Sequence, residues 1–314
     1  MRVLFLSAIM VHALLAVGQK PSATGTASHT ASFTYANDFF TATDRYFTQG
    51  VGLRYGSLSL GTSWLSKPML RLHADPSPWL TVRLQQDCYT PSSIRTDTIR
   101  PLDQPFAAAI YLGLEATSLV ALTGVKLSSS LIAGVLGPCA SCMEEQQWIH
   151  HGLGNIEPLG WQYQVHSDVL LNYGALLEKR LFSSNWAEGR GGLAVQVGTY
   201  RDDATASFTL ALGKGASGFT PPQQRPTKPQ FRAFGNAALT VVGYDAPLQG
   251  GMFQRDNPHV LPADRIERVV AGYGWGARFN YKAVDLEYRE WYIGRTFEGG
   301  LTHGWGTVVL MGWF

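Results

Sequence analysis

Apolar and polar positions alternate with period two through most of this chain. In "RVVAGYGWGARFNYK" (268–282), Val269, Ala271, Tyr273, Trp275, Ala277, Phe279 and Tyr281 share one face. Arg268, Gly272, Gly274, Gly276, Arg278, Asn280 and Lys282 fall on the other, with Val270 as its one bulky apolar member. Aromatic and aliphatic side chains opposite glycine and charge predict a strand that is apolar outside and polar inside. The next segment repeats the pattern, setting Val284, Leu286 and Tyr288 against Asp285, Glu287 and Arg289. "LTVRLQQ" (80–86), "LAVQVGT" (193–199) and "SFTLALG" (207–213) alternate in the same way. Stretches rich in Gly, Pro, Asp and Asn separate them, notably "GKGASGFTPPQQRPTKPQ" (213–230).

A soluble β-sandwich also alternates, so the period alone does not choose between architectures. Three features favour a membrane barrel. The strands approach the nine to eleven residues that cross a bilayer when tilted. Tryptophan and tyrosine gather near strand ends, where an interfacial girdle needs them. The chain ends on "TVVLMGWF", with Val308 and Leu310 in phase with Phe314, which is similar to the last strand of bacterial outer-membrane barrels. The expected fold is therefore all-β, a transmembrane antiparallel β-barrel, closed because lipid cannot satisfy a free strand edge. No second domain and no internal repeat is visible. One stretch breaks the alternation: "EEQQWIHHGLG" (144–154), polar and titratable, reads as a short helix or an ordered loop at a strand end.

Composition agrees with this reading. Charged residues are 15% of the 314, below the roughly 25% of soluble domains. The formal net charge of +2 argues against a nucleic-acid binder, which would carry a basic stripe. The opening "MRVLFLSAIMVHALLAVGQK" has one basic residue, an apolar run from Val3 to Val17, and small residues Ala16 and Gly18. That layout is a secretory signal peptide over residues 1–18, leaving 19–314 for the barrel. No later run supplies the roughly 20 apolar residues of a spanning helix. Cys139 and Cys142 form a C-x-x-C with no second pair to complete a zinc site. The expectation for them is a local disulfide or two idle thiols, with Cys88 the third cysteine.

Common catalytic signatures are missing: there is no G-x-S-x-G, H-E-x-x-H, P-loop or dinucleotide fingerprint. Polar clusters instead lie near the ends of the first strands. They are "ANDFFTATDRYFTQG" (36–50), "QQDCYTPSSIRTDTIRPLDQPFAA" (85–108) and "GPCASCMEEQQWIHHGLGNIEPLGWQYQ" (137–164). The first supplies Asn37-Asp38, then Phe47-Thr48-Gln49-Gly50. The second supplies Gln86, Tyr89, Thr90 and Pro91, and the third Gly137-Pro138, Ala140, Gln146, His150, Gly160-Trp161 and Gln164. Together these resemble the outer-membrane lipid A 3′-O-deacylases over nearly the whole chain after the signal peptide. Phe47 stands where members have Tyr, Phe106-Ala107-Ala108 where many have Tyr-Ala-Gly, and Asp168 where relatives often show Glu. Ile156 occupies a place six residues after the histidine that is acidic in some members.

The resemblance implies a twelve-stranded barrel in the bacterial outer membrane, with lipid A in lipopolysaccharide as its partner; a monomer is the expected state. Its site would lie near the outer rim and release the 3′-linked acyloxyacyl group by calcium-dependent ester hydrolysis. The residue types suit that chemistry. His150 is the expected general base, because imidazole takes a proton from water near neutral pH. Gln146, four residues earlier, would share its face on a helix and orient ring or water. Asp38 offers a hard carboxylate oxygen for the metal and Thr48 a neutral one. Asn37, beside Asp38, joins the catalytic set. Arg95 and Arg100 match phosphate geometry, although rim arginines also simply meet lipopolysaccharide. Two other readings stay open: a catalytically silent, porin-like or structural barrel, and a hydrolase of phospholipid esters.

Overall fold

A computed structural model describes residues 27–75 and 78–314; the expected signal peptide lies outside them. Twelve strands form one closed antiparallel barrel. They are β1 (His29–Asn37), β2 (Tyr46–Ser57), β3 (Trp79–Thr90), β4 (Ala107–Val120), β5 (Val125–Leu136) and β6 (Asp168–Ser183). The second half comprises β7 (Ala187–Gly198), β8 (Arg201–Lys214), β9 (Gln230–Asp245), β10 (Val269–Tyr281), β11 (Val284–Ile293) and β12 (His303–Trp313). Each pairs with its sequence neighbour, and β1 closes on β12 through pairs such as Phe33 with Leu310 and Tyr35 with Val308. Closure leaves no unpaired edge in lipid.

The alternation read from the sequence sorts lipid from lumen. Tyr273, Trp275 and Phe279 of β10 are exposed on the outer wall, as is Leu286 of β11. Arg278 and Asp285 face inward and pair, with Arg278 Nε 2.6 Å from Asp285 Oδ2. Further luminal charges are matched in the same way. Glu115 bridges Arg54 and Arg83, and Glu178 bridges Lys126 and Arg190. Buried charges require such partners. The lumen is thus filled by ion pairs, together with a cluster in which Tyr111 donates to Asp87 and Tyr89 and Tyr200 share a hydrogen bond.

The two ends of the barrel differ. One carries the connections 38–45, 91–106, 137–167, 199–200, 246–268 and 294–302; the other carries the shorter set 58–78, 121–124, 184–186, 215–229 and 282–283. Long loops mark the cell exterior and short turns the periplasm in this class of barrel. The stretch that broke the alternation is a helix, Cys142–Leu153, inside the longest exterior loop.

Candidate active site on the outer wall

The rim helix is held against the outside of the barrel. Cys142, its first residue, forms a disulfide with Cys88 of β3. Cys88 pairs with Gln49 of β2, and Gln49 pairs with Asn37 of β1. This row continues the outer face, since Val51 and Leu53 of β2 follow Gln49 at two-residue steps and pair with Tyr35 and Phe33. Gln86, also on that face, donates from Nε2 to the Ala140 carbonyl at 2.7 Å. The C-x-x-C therefore does not close on itself: Cys142 reaches across 54 residues and Cys139 is a free, exposed thiol. Sequence could not show this pairing, because only barrel closure brings β3 under the helix start.

Local sequence dictates the helix ends. Gly137 adopts φ +104° ahead of Pro138, and Gly154 closes the helix at φ +66° with its N–H on the last carbonyls. Glu144 and Glu145 in the first turn and two histidines in the last suit the helix dipole. The Gly160-Trp161 motif has a steric cause. A Cβ at residue 160 would lie 2.8 Å from the Phe106 ring, which packs on the buried Trp161 indole at 4.8 Å. Trp161 then donates from Nε1 to Gln146 Oε1 at 2.7 Å. So Gln146 is held by a tryptophan fifteen residues away, a contact that the helical spacing alone did not reveal.

His150 is half-buried, and His151 beside it is exposed. His150 Nδ1 lies 2.6 Å from the Ile156 carbonyl oxygen. A carbonyl only accepts, so Nδ1 carries the proton in that bond and Nε2 is left as the basic nitrogen. Residue 156 thus orients the ring through its backbone, although its side chain is apolar.

Asn37 and Asp38 lie where β1 ends. Asn37 Oδ1 accepts from the Phe39 N–H at 2.8 Å, capping a short turn, and Nδ2 donates to the Tyr35 hydroxyl at 3.2 Å. Asp38 is 3% exposed, and its Oδ2 has no hydrogen-bond partner. Burial, and secondarily the Asp44 charge, pushes its carboxyl up to about 8. The loop beyond it is strained, with Ala42, Asp44 and Tyr46 all at positive φ. It is held because Thr41 and Thr43 both donate to the Gly304 carbonyl at 2.7 Å. Thr48 sits in the bulge where the β2–β3 register slips between Phe47 and Gln49, and bulges re-aim side chains.

The sequence candidates thus divide into two groups. Asn37, Asp38, Thr48, Gln146 and His150 belong to adjoining elements at the exterior end of the β1–β3 wall. Arg95 and Arg100 lie on the neighbouring loop 91–106, where Arg95 is exposed and Arg100 is ion-paired with Asp103 at 2.8 Å. Among the described residues no three His, Cys, Asp or Glu side chains form a metal cluster. The candidate donors are the orphaned carboxylate oxygen of Asp38 and the neutral amide and hydroxyl oxygens of Asn37 and Thr48, types that suit a hard cation such as calcium and not zinc.

If the disulfide holds the helix start in place, removing it should loosen the site and spare the barrel. The double variant Cys88→Ser, Cys142→Ser is expected to keep its heat-modifiable migration on gels. Its activity should fall up to about 10²-fold, the effect of a misplacement near 1 Å. Full activity would show that packing of Trp161 and Phe106 alone positions the helix.

A solved outer-membrane structure shares this architecture. LpxR from Salmonella typhimurium superposes with a TM-score of 0.73 at 20% identity, covering 91% of this chain and 100% of that one. The β domain of the Bordetella autotransporter BrkA gives 0.43 at 12% identity, covering 92% and 99% respectively. No curated protein sequence matches the chain. The family described as outer membrane protein LpxR matches residues 4–314. The chain therefore belongs to the LpxR family of lipid A-modifying outer-membrane barrels.

Proposed function

We propose that this protein is a lipid A 3′-O-deacylase that hydrolyses the ester of the 3′-linked acyloxyacyl group. The observation that carries the reading is the held imidazole of His150. It is oriented through Nδ1 on a helix fastened to the lipid-facing wall, and the exterior end of β1 on that wall leads into a buried carboxylate, Asp38, with an unpartnered oxygen. A site on the outer wall is open to a substrate that stays in the membrane; a luminal site would require the lipid to leave it.

His150 Nε2 takes a proton from water, and that water attacks the ester carbonyl. Gln146, fixed by Trp161, orients the water or the ring from the same helix face. Asp38, with Asn37 and Thr48 supplying neutral oxygens, would hold calcium, which when bound stabilises negative charge on the carbonyl oxygen. The departing sugar oxygen then regains the proton from His150. Arg95 and, less freely, Arg100 offer guanidinium groups to the lipid A phosphates.

Mass spectra of lipid A and phospholipids from cells with and without the protein separate the readings. Loss of one acyloxyacyl unit from the 3′ position supports the proposal. Accumulation of lysophospholipid would assign the site to phospholipid esters. Unchanged lipids would leave a silent barrel.

A further inference from the structure

A second lipid-facing feature lies away from the rim helix, on β8, β9 and β10. Its floor is Gly235, with Leu210 and Leu212 on one side and Tyr273 and Trp275 on the other, enclosing an apolar groove of about 510 Å³. The register explains the groove: Leu210 pairs with Gly235, and Gly235 pairs with Trp275, so large outward side chains flank a residue with none. A Cβ on Gly235 would meet nothing closer than the Gly274 carbonyl at 3.9 Å. The space is therefore open to an occupant and is not filled by packing.

Charge gives the groove a direction. Two residues beyond Leu212 toward the periplasm, about 7 Å along the strand, is the exposed Lys214. Its Nζ lies 4.9 Å from the Trp186 ring. Lys282, in the adjacent β10–β11 turn, sits 4.9 Å over Tyr281 and donates its backbone N–H to Pro226 at 3.0 Å. That contact brings the loop bearing the exposed Lys228 to the same end. Ammonium groups poised over interfacial aromatics are cations held at headgroup level. Glu290, by contrast, faces outward at the height of Trp275, with its two oxygens accepting from Tyr288 and Tyr292 at 2.7 and 2.6 Å. A carboxylate at mid-height disfavours an anionic headgroup there and leaves the lysine end to receive it.

We propose that this groove binds one anionic phospholipid of the periplasmic leaflet, its acyl chain against Gly235 and its phosphate at Lys214, Lys228 and Lys282. The site stands apart from the rim helix and does not depend on the proposed hydrolysis. The ligand chemistry follows from an apolar channel that ends in cations, where juxtamembrane Lys attracts acidic lipid.

The test is native mass spectrometry of the detergent-solubilised full-length protein titrated with phosphatidylglycerol, phosphatidylethanolamine of the same chains, or lipid A. The wild type should retain one phosphatidylglycerol about tenfold more tightly than phosphatidylethanolamine. Gly235→Leu, which fills the groove from its open floor, should weaken that retention at least tenfold. Lys214→Gln, an exposed change that spares the apolar lining, should reduce the preference between the two phospholipids without abolishing uptake. Equal uptake of both phospholipids by the wild type would overturn the proposal, as would undiminished binding by Gly235→Leu. Tighter uptake of lipid A that Gly235→Leu removes would also overturn it, assigning the groove to the other leaflet.

Discussion

His150→Ala is expected to lower release of the 3′ acyloxyacyl group by roughly 10²- to 10⁴-fold, the usual contribution of a general base. The barrel should insert and remain heat-modifiable. The imidazole contacts the Ile156 carbonyl at the end of a rim helix, whereas the wall is built from pairings on all twelve strands. The helix also keeps its other fastenings, the Cys88–Cys142 disulfide and the Trp161–Gln146 hydrogen bond. His151→Ala is the internal control: that side chain is exposed and points about a quarter-turn away on the helix. It should keep most of its activity. Equal losses in two folded variants would remove His150 as the base, and loss in His151→Ala alone would shift the assignment by one residue.

Chelation should abolish activity and calcium should restore it, with Asp38→Asn costing about 10²-fold or more. A metal at a developing oxyanion contributes several kcal/mol, and about 1.4 kcal/mol is tenfold in rate. A second readout does not involve turnover. Without metal, burial raises the Asp38 carboxyl from 3.8 to about 8, so between those values the folded state holds a proton that the unfolded chain has released. Stability then falls as pH rises from about 4 to 8. A cation at Oδ2 favours the ionised form and removes that loss. Thermal unfolding in chelator should therefore show wild type weaker at high pH than at pH 6, with calcium restoring it. Asp38→Asn should show neither the slope nor the rescue. A wild type indifferent to calcium at high pH would take Asp38 out of the metal site.

The barrel was legible because period-two alternation has one physical cause. Residues such as Tyr273 and Trp275 meet lipid, and Arg278 and Asp285 meet each other in the lumen. The stretch 144–154 stood out by breaking that period, but the break left helix and ordered loop both open, and the structure makes it a helix, Cys142–Leu153. What alternation cannot carry is long-range contact. The Cys88–Cys142 bond, which replaces the expected local pairing, depends on which strand lies beneath the helix. The Ile156 carbonyl on His150 was hidden because a backbone acceptor leaves no mark on residue type. Asp38 could be named from sequence, but its unpartnered oxygen follows from the loop folding over it, held by Thr41 and Thr43 on Gly304.

In the proposed reaction, water activated at His150 cleaves an acyl ester on the outer wall. Purified protein and lipid A in water enriched in the heavy oxygen isotope would test it directly. One heavy oxygen is expected to enter the carboxylate of the released acyloxyacyl acid. The sugar 3′ hydroxyl should stay light, and His150→Ala should suppress the product. Heavy oxygen on the sugar, or transfer of the acyl group to another lipid without release of free acid, would contradict it.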